Sequence, residues 1–292
     1  MTVRPMLRLV ILALVVLGSA SAAHAQLVSV TGTLDRRLTV NGAVELDVRT
    51  GSGSIDIRRG SGGEVRVVGQ IRAQRGFWNS LSAEDRVKQI EANPPISQNG
   101  NSIRIGEFPD EDLGRNVSIS YVISVPAETS VRARTGSGSH RIASLTGGVE
   151  AQTGSGSIHL GQISGPVVAS TGSGSIEIMG ASAGLTAKTG SGSIEAAGVR
   201  GALRANTGSG GVRIEGTPTS DWSIQTGSGS IGLRLPADAS FDLDARSSSG
   251  SINTNHPIEM RGSLSRRHVQ GRVRGGGPRI DVSAGSGSIQ LQ

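Results

Sequence analysis

Cysteine is absent from the 292 residues, which excludes disulfides, thiolate metal sites, a lipid-modified N-terminal cysteine and a cysteine nucleophile together. Aromatic residues make up only 2% of the chain, too few to fill a conventional core with large rings. Lysine is nearly missing as well, with Lys88 and Lys188 the only two, so arginine carries the positive charge. Apart from residues 9–17 there is no sustained apolar run, and that one is short for a bilayer span. Glycine, by contrast, reaches 44 residues. The fold is therefore expected to bury small aliphatic side chains in a narrow space and to depend on hydrogen bonds.

The N-terminus has the three-part layout of a secretory signal peptide: Arg4 and Arg8, the apolar run 9–17, and small residues ending Ala23-His24-Ala25. Cleavage after Ala25 leaves residues 26–292 as one exported domain, not transmembrane, in the periplasm, at the cell surface or outside the cell. The formal charge of +6 falls by two when Arg4 and Arg8 leave with the leader. Arginine is densest in Arg261, Arg266, Arg267, Arg272, Arg274 and Arg279. Without interleaved aromatics this stretch is no nucleic-acid site. It is expected to form an irregular basic loop at about 255–278 that is able to touch anionic envelope polymers.

The string TGSGSI or a near copy starts at Thr50, Thr135, Thr153, Thr171, Thr189, Thr207 and Thr226, with degenerate copies at Ser247 and Ala284. From Thr135 to Thr207 each step is 18 residues, and the next is 19. Flanking apolar pairs keep the same register, for example Val149/Ala151 before Thr153 and Ile158/Leu160 after it. Alternation within each pair has period two and predicts strands. One unit thus holds two short strands joined by the GSGS turn, and it cannot bury its apolar face alone. Stacked in parallel at about 4.8 Å, the units form an all-β, two-sided parallel β-solenoid with 18-residue rungs. In this reading the turn glycines supply positive φ, and the Thr and Ser hydroxyls form ladders.

One short helical insertion, at about 73–100, interrupts the array. Ser82 with Asp85 three residues on marks a helix N-cap, Asn93-Pro94-Pro95 a stop, and a helix is predicted over residues 83–92, after a strand over 65–71 and before a long strand over 117–125. Phe77 and Trp78 in this insertion are candidates for a ligand platform, although such a pair more often docks an insertion onto its support.

The leader, the helix-plus-NPP insertion, the phrase SYVISVPAETSVRARTGSGS and the reiterated TGSGSI resemble the bacterial "putative adhesin" family of β-strand-repeat envelope proteins. The resemblance covers nearly all of the mature chain. It implies a parallel β-solenoid in or outside the envelope, with adhesion or envelope-stress roles, no established enzymology and no catalytic residues to transfer.

The residues themselves offer little chemistry. The outward column six residues after each anchor reads Arg141, His159, Glu177, Glu195 and Arg213. Adjacent members are expected about 5 Å apart, the carboxylate spacing of retaining glycosidases. Glu177 and Glu195 are therefore readable as an acid and nucleophile pair, or with His159 as a weak metal site. The competing reading is an exposed ladder in which His159 and Arg213 offset two repelling carboxylates. No GSGS copy is followed by the Lys-Ser/Thr of a phosphate loop, the turns lack the aspartates of calcium-binding rolls, and His140, His159, His256 and His268 fit no zinc spacing. A single threonine column is also readable as a water-ordering surface, but ice-binding solenoids use paired threonines on a flat strand, and here each Thr precedes a corner glycine. We therefore expect no catalysis, cofactor or metal. The expected function is an adhesin-like protein binding envelope polysaccharide or a protein partner, with His159, Glu177, Glu195, Arg213, Phe77 and Trp78 as candidate contacts. The alternative is a structural or envelope-stress component acting by assembly. A carbohydrate-active enzyme using Glu177 and Glu195 is a distant third.

Overall fold

The structure, a computed structural model, describes residues 29–74, 81–108, 110–260 and 265–292. The expected leader lies outside the described residues, as do Phe77, Trp78 and Arg261. The period-two segments form strands whose alternate residues face a common core. In Val149–Thr153 and Ile158–Ile163, for instance, Val149, Ala151, Ile158 and Leu160 are buried while their neighbours face outward. The strands preceding the GSGS corners join one sheet and those following them join another. Among the described residues these sheets have 13 and 12 strands, here termed sheet II and sheet I. Both are dominated by parallel pairs. Val131, Val149, Val167, Leu185 and Leu203 are successive partners down one column, each 18 residues from the next, and Leu203 then meets Trp222.

The corner has its own hydrogen-bond logic. Thr153 Oγ1 donates to the Gly138 carbonyl of the preceding rung at 2.8 Å and accepts the Gly156 amide of its own turn at 3.1 Å. Thr171, Thr189 and Thr207 repeat the donation to Gly156, Gly174 and Gly192 at 2.8–2.9 Å. The threonines are buried, so the expected hydroxyl ladder and the water-ordering surface are both replaced by threonine-to-backbone bonds between rungs. The reason for the glycines also differs from expectation. Gly138, Gly156 and Gly174 do not have positive φ. A Cβ on any of them would lie 1.8–1.9 Å from the carbonyl oxygen of the preceding rung's glycine. Close stacking, not left-handed backbone, demands glycine here. Left-handed residues occur instead nine positions after the anchor, at Ser144, Gln162, Gly180 and Gly198.

Rung order departs from chain order at both ends. The rung built from Ser102–Ile105 and Val117–Val125 lies outside the earlier rung Val44–Thr50/Ile55–Arg59, which pairs next with Thr129–Thr135/His140–Leu145. At the other end the chain passes Trp222–Ser228/Ile231–Arg234 and forms the outer rung Phe241–Ser247/Ile252–Thr254. It then returns to insert Arg279–Ser286/Ile289–Leu291 between them. Antiparallel strands cover the flanks: Ser29–Thr39 with Glu64–Gln74 on sheet I, Ile96–Asn99 on sheet II, and His268–Val273 with Ile258–Met260 on the far end of sheet II. The stretch expected as an irregular Arg-rich loop is thus largely an antiparallel extension, because Val269 and Val273 alternate inward and continue the core.

The insertion contains helix α1 (Ala83–Ala92), whose Ser82 N-cap accepts the Asp85 amide at 3.0 Å. Val87 and Ile90 bury its apolar side against Ser29–Thr39 and Glu64–Gln74. Gly32 lets the helix approach, since a Cβ there would meet Val87 at 2.4 Å. Buried Arg86 reaches the Gln74 carbonyl at 2.7 Å and also bonds the Arg115 carbonyl. A second, four-residue helix, α2 (Glu111–Gly114), was not apparent in the sequence pattern.

Candidate functional site

Outward positions of sheet I place the sequence-predicted charged residues on one line. Arg141, His159, Glu177, Glu195 and Arg213 are successive partners across adjacent strands. Glu177 and Glu195 stand side by side, yet each turns to its opposite neighbour. His159 Nδ1 meets Glu177 Oε2 at 2.9 Å, and Arg213 donates to Glu195 Oε1 at 2.5 Å. Their side chains are 42–77% exposed. Acid–base work by a carboxylate pair needs desolvation and convergence on one reacting atom. This arrangement has the carboxylates paired outward in water. It matches the ladder reading, in which His159 and Arg213 each engage one of the two neighbouring carboxylates.

Three residues of the ladder, Glu177, Glu195 and Arg213, line a groove of about 780 Å³ running across successive rungs. Gly232, next in the ladder's own column, and Ala197 in the column beside it are small, exposed Met179 lines the groove as well, and Glu215 pairs with Arg234 at 3.6 Å. Gln290 and Gln292 complete the far end. Met179 and Glu215 lie in the outward column eight residues after the anchors and were legible in the repeat. Gln290 and Gln292 were not, because they reach the groove only through the out-of-order rung, where Gly232 pairs with Gln290.

Other candidate residues are accounted for internally. His140 occupies an inward position, with Nε2 at 2.8 Å from the Gln152 carbonyl. Burial holds its imidazole below the ordinary histidine value, partly offset by that bond. His256 is buried edge-on to Phe241, with ring centroids 5.5 Å apart. Among the described residues no group of three or more His, Asp or Glu is placed to hold a metal. Two arginines of the basic stretch, Arg272 and Arg279, are ion-paired within the fold. Arg246, Arg279 and His268 converge on buried Asp244 at 2.7, 3.4 and 3.2 Å. Arg272 faces Asp242 at 3.6 Å. No helix among the described residues is long and apolar enough to cross a membrane.

The family model described as Toastrack DUF4097 matches residues 45–292. Two solved structures are similar over most of their length. A "putative cell adhesion protein" from Clostridium sporogenes ATCC 15579 is 13% identical, with 89% of this chain and 98% of that chain covered at a TM-score of 0.29. A "putative adhesin" from Bacteroides fragilis NCTC 9343 is 15% identical, with 89% and 97% covered at a TM-score of 0.38. No curated protein matches.

Proposed function

We propose that this chain, which belongs to the Toastrack DUF4097 family, is an exported, non-catalytic, adhesin-like protein that binds polysaccharide along the outer face of sheet I. One observation carries the reading: the groove from Glu177 to Gln290 crosses several rungs and offers a row of carboxylates, guanidiniums and amides. Such a row suits a polymer of repeated hydroxyl-bearing units, because carboxylates accept and guanidiniums donate several hydrogen bonds each. Export rests on the leader-like N-terminus. A protein partner is a second reading, favoured by Met179, which lines the groove and is 56% exposed.

Co-sedimentation with isolated envelope material and insoluble polysaccharides, at low and high salt, tests the proposal. The expected result is salt-resistant pelleting with one polymer, lost when Glu195 and Arg213 are both replaced by Ala. Pelleting that disappears with salt would assign the binding to surface charge alone. No pelleting with any polysaccharide overturns the reading and leaves the protein partner.

A further inference from the structure

The chain has one tyrosine, and its hydroxyl is stranded. Tyr121 is 1% exposed, and its oxygen has no hydrogen-bond partner. It stands in the inward column beside Ile55, whose next partner is His140. In most repeat rungs this position holds isoleucine, and a short glycine corner closes the space beside it. Thr153 and Ile158, for example, are joined by residues 154–157. In the outermost N-terminal rung the corresponding connection, between Ile105 and Val117, is longer and carries the four-residue helix α2.

Beside this connection, lined by its Gly106, Phe108 and Gly114, lies a cavity of about 370 Å³, within the roughly 300–1,000 Å³ typical of small-molecule sites. Its lining combines three kinds of group. Two successive repeat corners contribute Thr50-Gly51 and Thr135-Gly136. Arg49 and Arg134 flank them, each partly exposed and ion-paired, with Asp47 and with Glu150. Phe108 provides the aromatic surface, and the buried Tyr121 also lines the cavity. Phe108 is half-buried, whereas the other described aromatics, Tyr121, Trp222 and Phe241, are buried in the core.

We propose that this corner is a binding site for a single saccharide unit, separate from the sheet I groove. A sugar ring has an apolar face to lay on Phe108 and hydroxyls to bond Tyr121 and the two guanidiniums. Asp47 and Glu150 already neutralise much of the arginine charge, which suits an uncharged polyhydroxyl ring better than a phosphate. The inference rests on the polysaccharide-binding reading only for its biological sense, since the site would hold one unit or chain end and not the length of a polymer.

Because Tyr121 is unique, fluorotyrosine labelling of the whole protein gives a single ¹⁹F resonance at the site. Titration with N-acetylglucosamine, glucose, galactose and mannose should give a saturable shift with at least one sugar. Phe108→Leu should raise the half-saturation concentration about tenfold, and Arg134→Gln should weaken it as well. Tyr121→Phe, which preserves shape, should lose the same binding measured by calorimetry. The absence of a saturable shift with any of the sugars, in folded protein, overturns the proposal, as does a linear shift that Phe108→Leu leaves unchanged. A saturable shift without polysaccharide pelleting would sink the groove reading and sustain the corner site. Pelleting without a shift would do the reverse.

Discussion

Gly156 and Thr153 show how little side chain a rung corner allows. The glycine faces a carbonyl that leaves no room for a Cβ, and the threonine spends its hydroxyl on the rung before. Gly156→Ala is expected to cost about 3 kcal/mol, the overpacking range, whereas Ser155→Ala, at an exposed position in the same turn, should be neutral within about 0.5 kcal/mol. Urea unfolding of both variants checks this. The hydroxyl relay is missing at Ala284, the partner of Thr226. Ser247, one rung further out, bonds Gly287 at 2.8 Å. The repeat geometry aims a hydroxyl at position 284 toward the Gly229 carbonyl. Ala284→Thr should therefore stabilise the protein by about 1 kcal/mol, read as a rise in thermal midpoint. His140 supplies the pH dependence. Its folded pKa is depressed from 6.5 by burial, so the unfolded chain binds the extra proton first as pH falls. Its contribution to stability is full above about pH 6.5 and declines below that by about 1.4 kcal/mol per pH unit until the folded pKa is reached. In urea titrations between pH 7.5 and 5, His140→Ile should flatten that part of the decline.

At the scale of elements, the helical insertion acts as an edge cover. Ser29–Thr39 is the outer strand of sheet I, and an open edge invites pairing with another chain. Side chains from the insertion and the segment after it occupy its free groups. The Thr33 amide donates to Glu91 at 2.8 Å, and Gln98 donates to the Thr39 carbonyl at 2.8 Å. Replacing Glu91 and Gln98 together with Ala should produce concentration-dependent self-association in light scattering, while the parent protein shows none by this edge. The sequence announced the helix itself because Ser82 and Asn93 are local signals. It also revealed Val117–Val125 and the inward pairs, which depend only on period two. Ser29–Thr39 was harder to see, since its alternation carries only Val30, Leu34 and Leu38 as large apolar residues. The basic stretch misled because arginines that pair with Asp242, Asp244 and Asp281 resemble a solvated loop until their partners are known.

The whole molecule has a feature no periodicity could show: both ends of the stack are interleaved. A repeat states that copies stack, and its shared columns say which residues align, but every copy offers the same edge to every other. The order is therefore settled by the ends, where Arg279–Ser286 docks onto Trp222–Ser228 and displaces Phe241–Ser247 outward. This insertion matters for the candidate site, because it brings Gln290 and Gln292 to the groove beside Arg234. The charged ladder was legible in the sequence for the same reason as the strands, while the groove's far end and the N-terminal corner pocket depend on these long-range placements. The absence of native cysteine makes the arrangement directly testable by paired substitutions. Gln225 and Ser283 are partners on neighbouring strands, whereas stacking in chain order would place Gln225 beside Arg246. Neighbouring strands lie within reach of a disulfide, whose Cα atoms are usually about 4.4–6.8 Å apart. The measurement is disulfide formation under mild oxidation in two double variants, read by intact mass. The interleaved fold predicts a bond in Gln225→Cys/Ser283→Cys and none in Gln225→Cys/Arg246→Cys; the opposite result would contradict it.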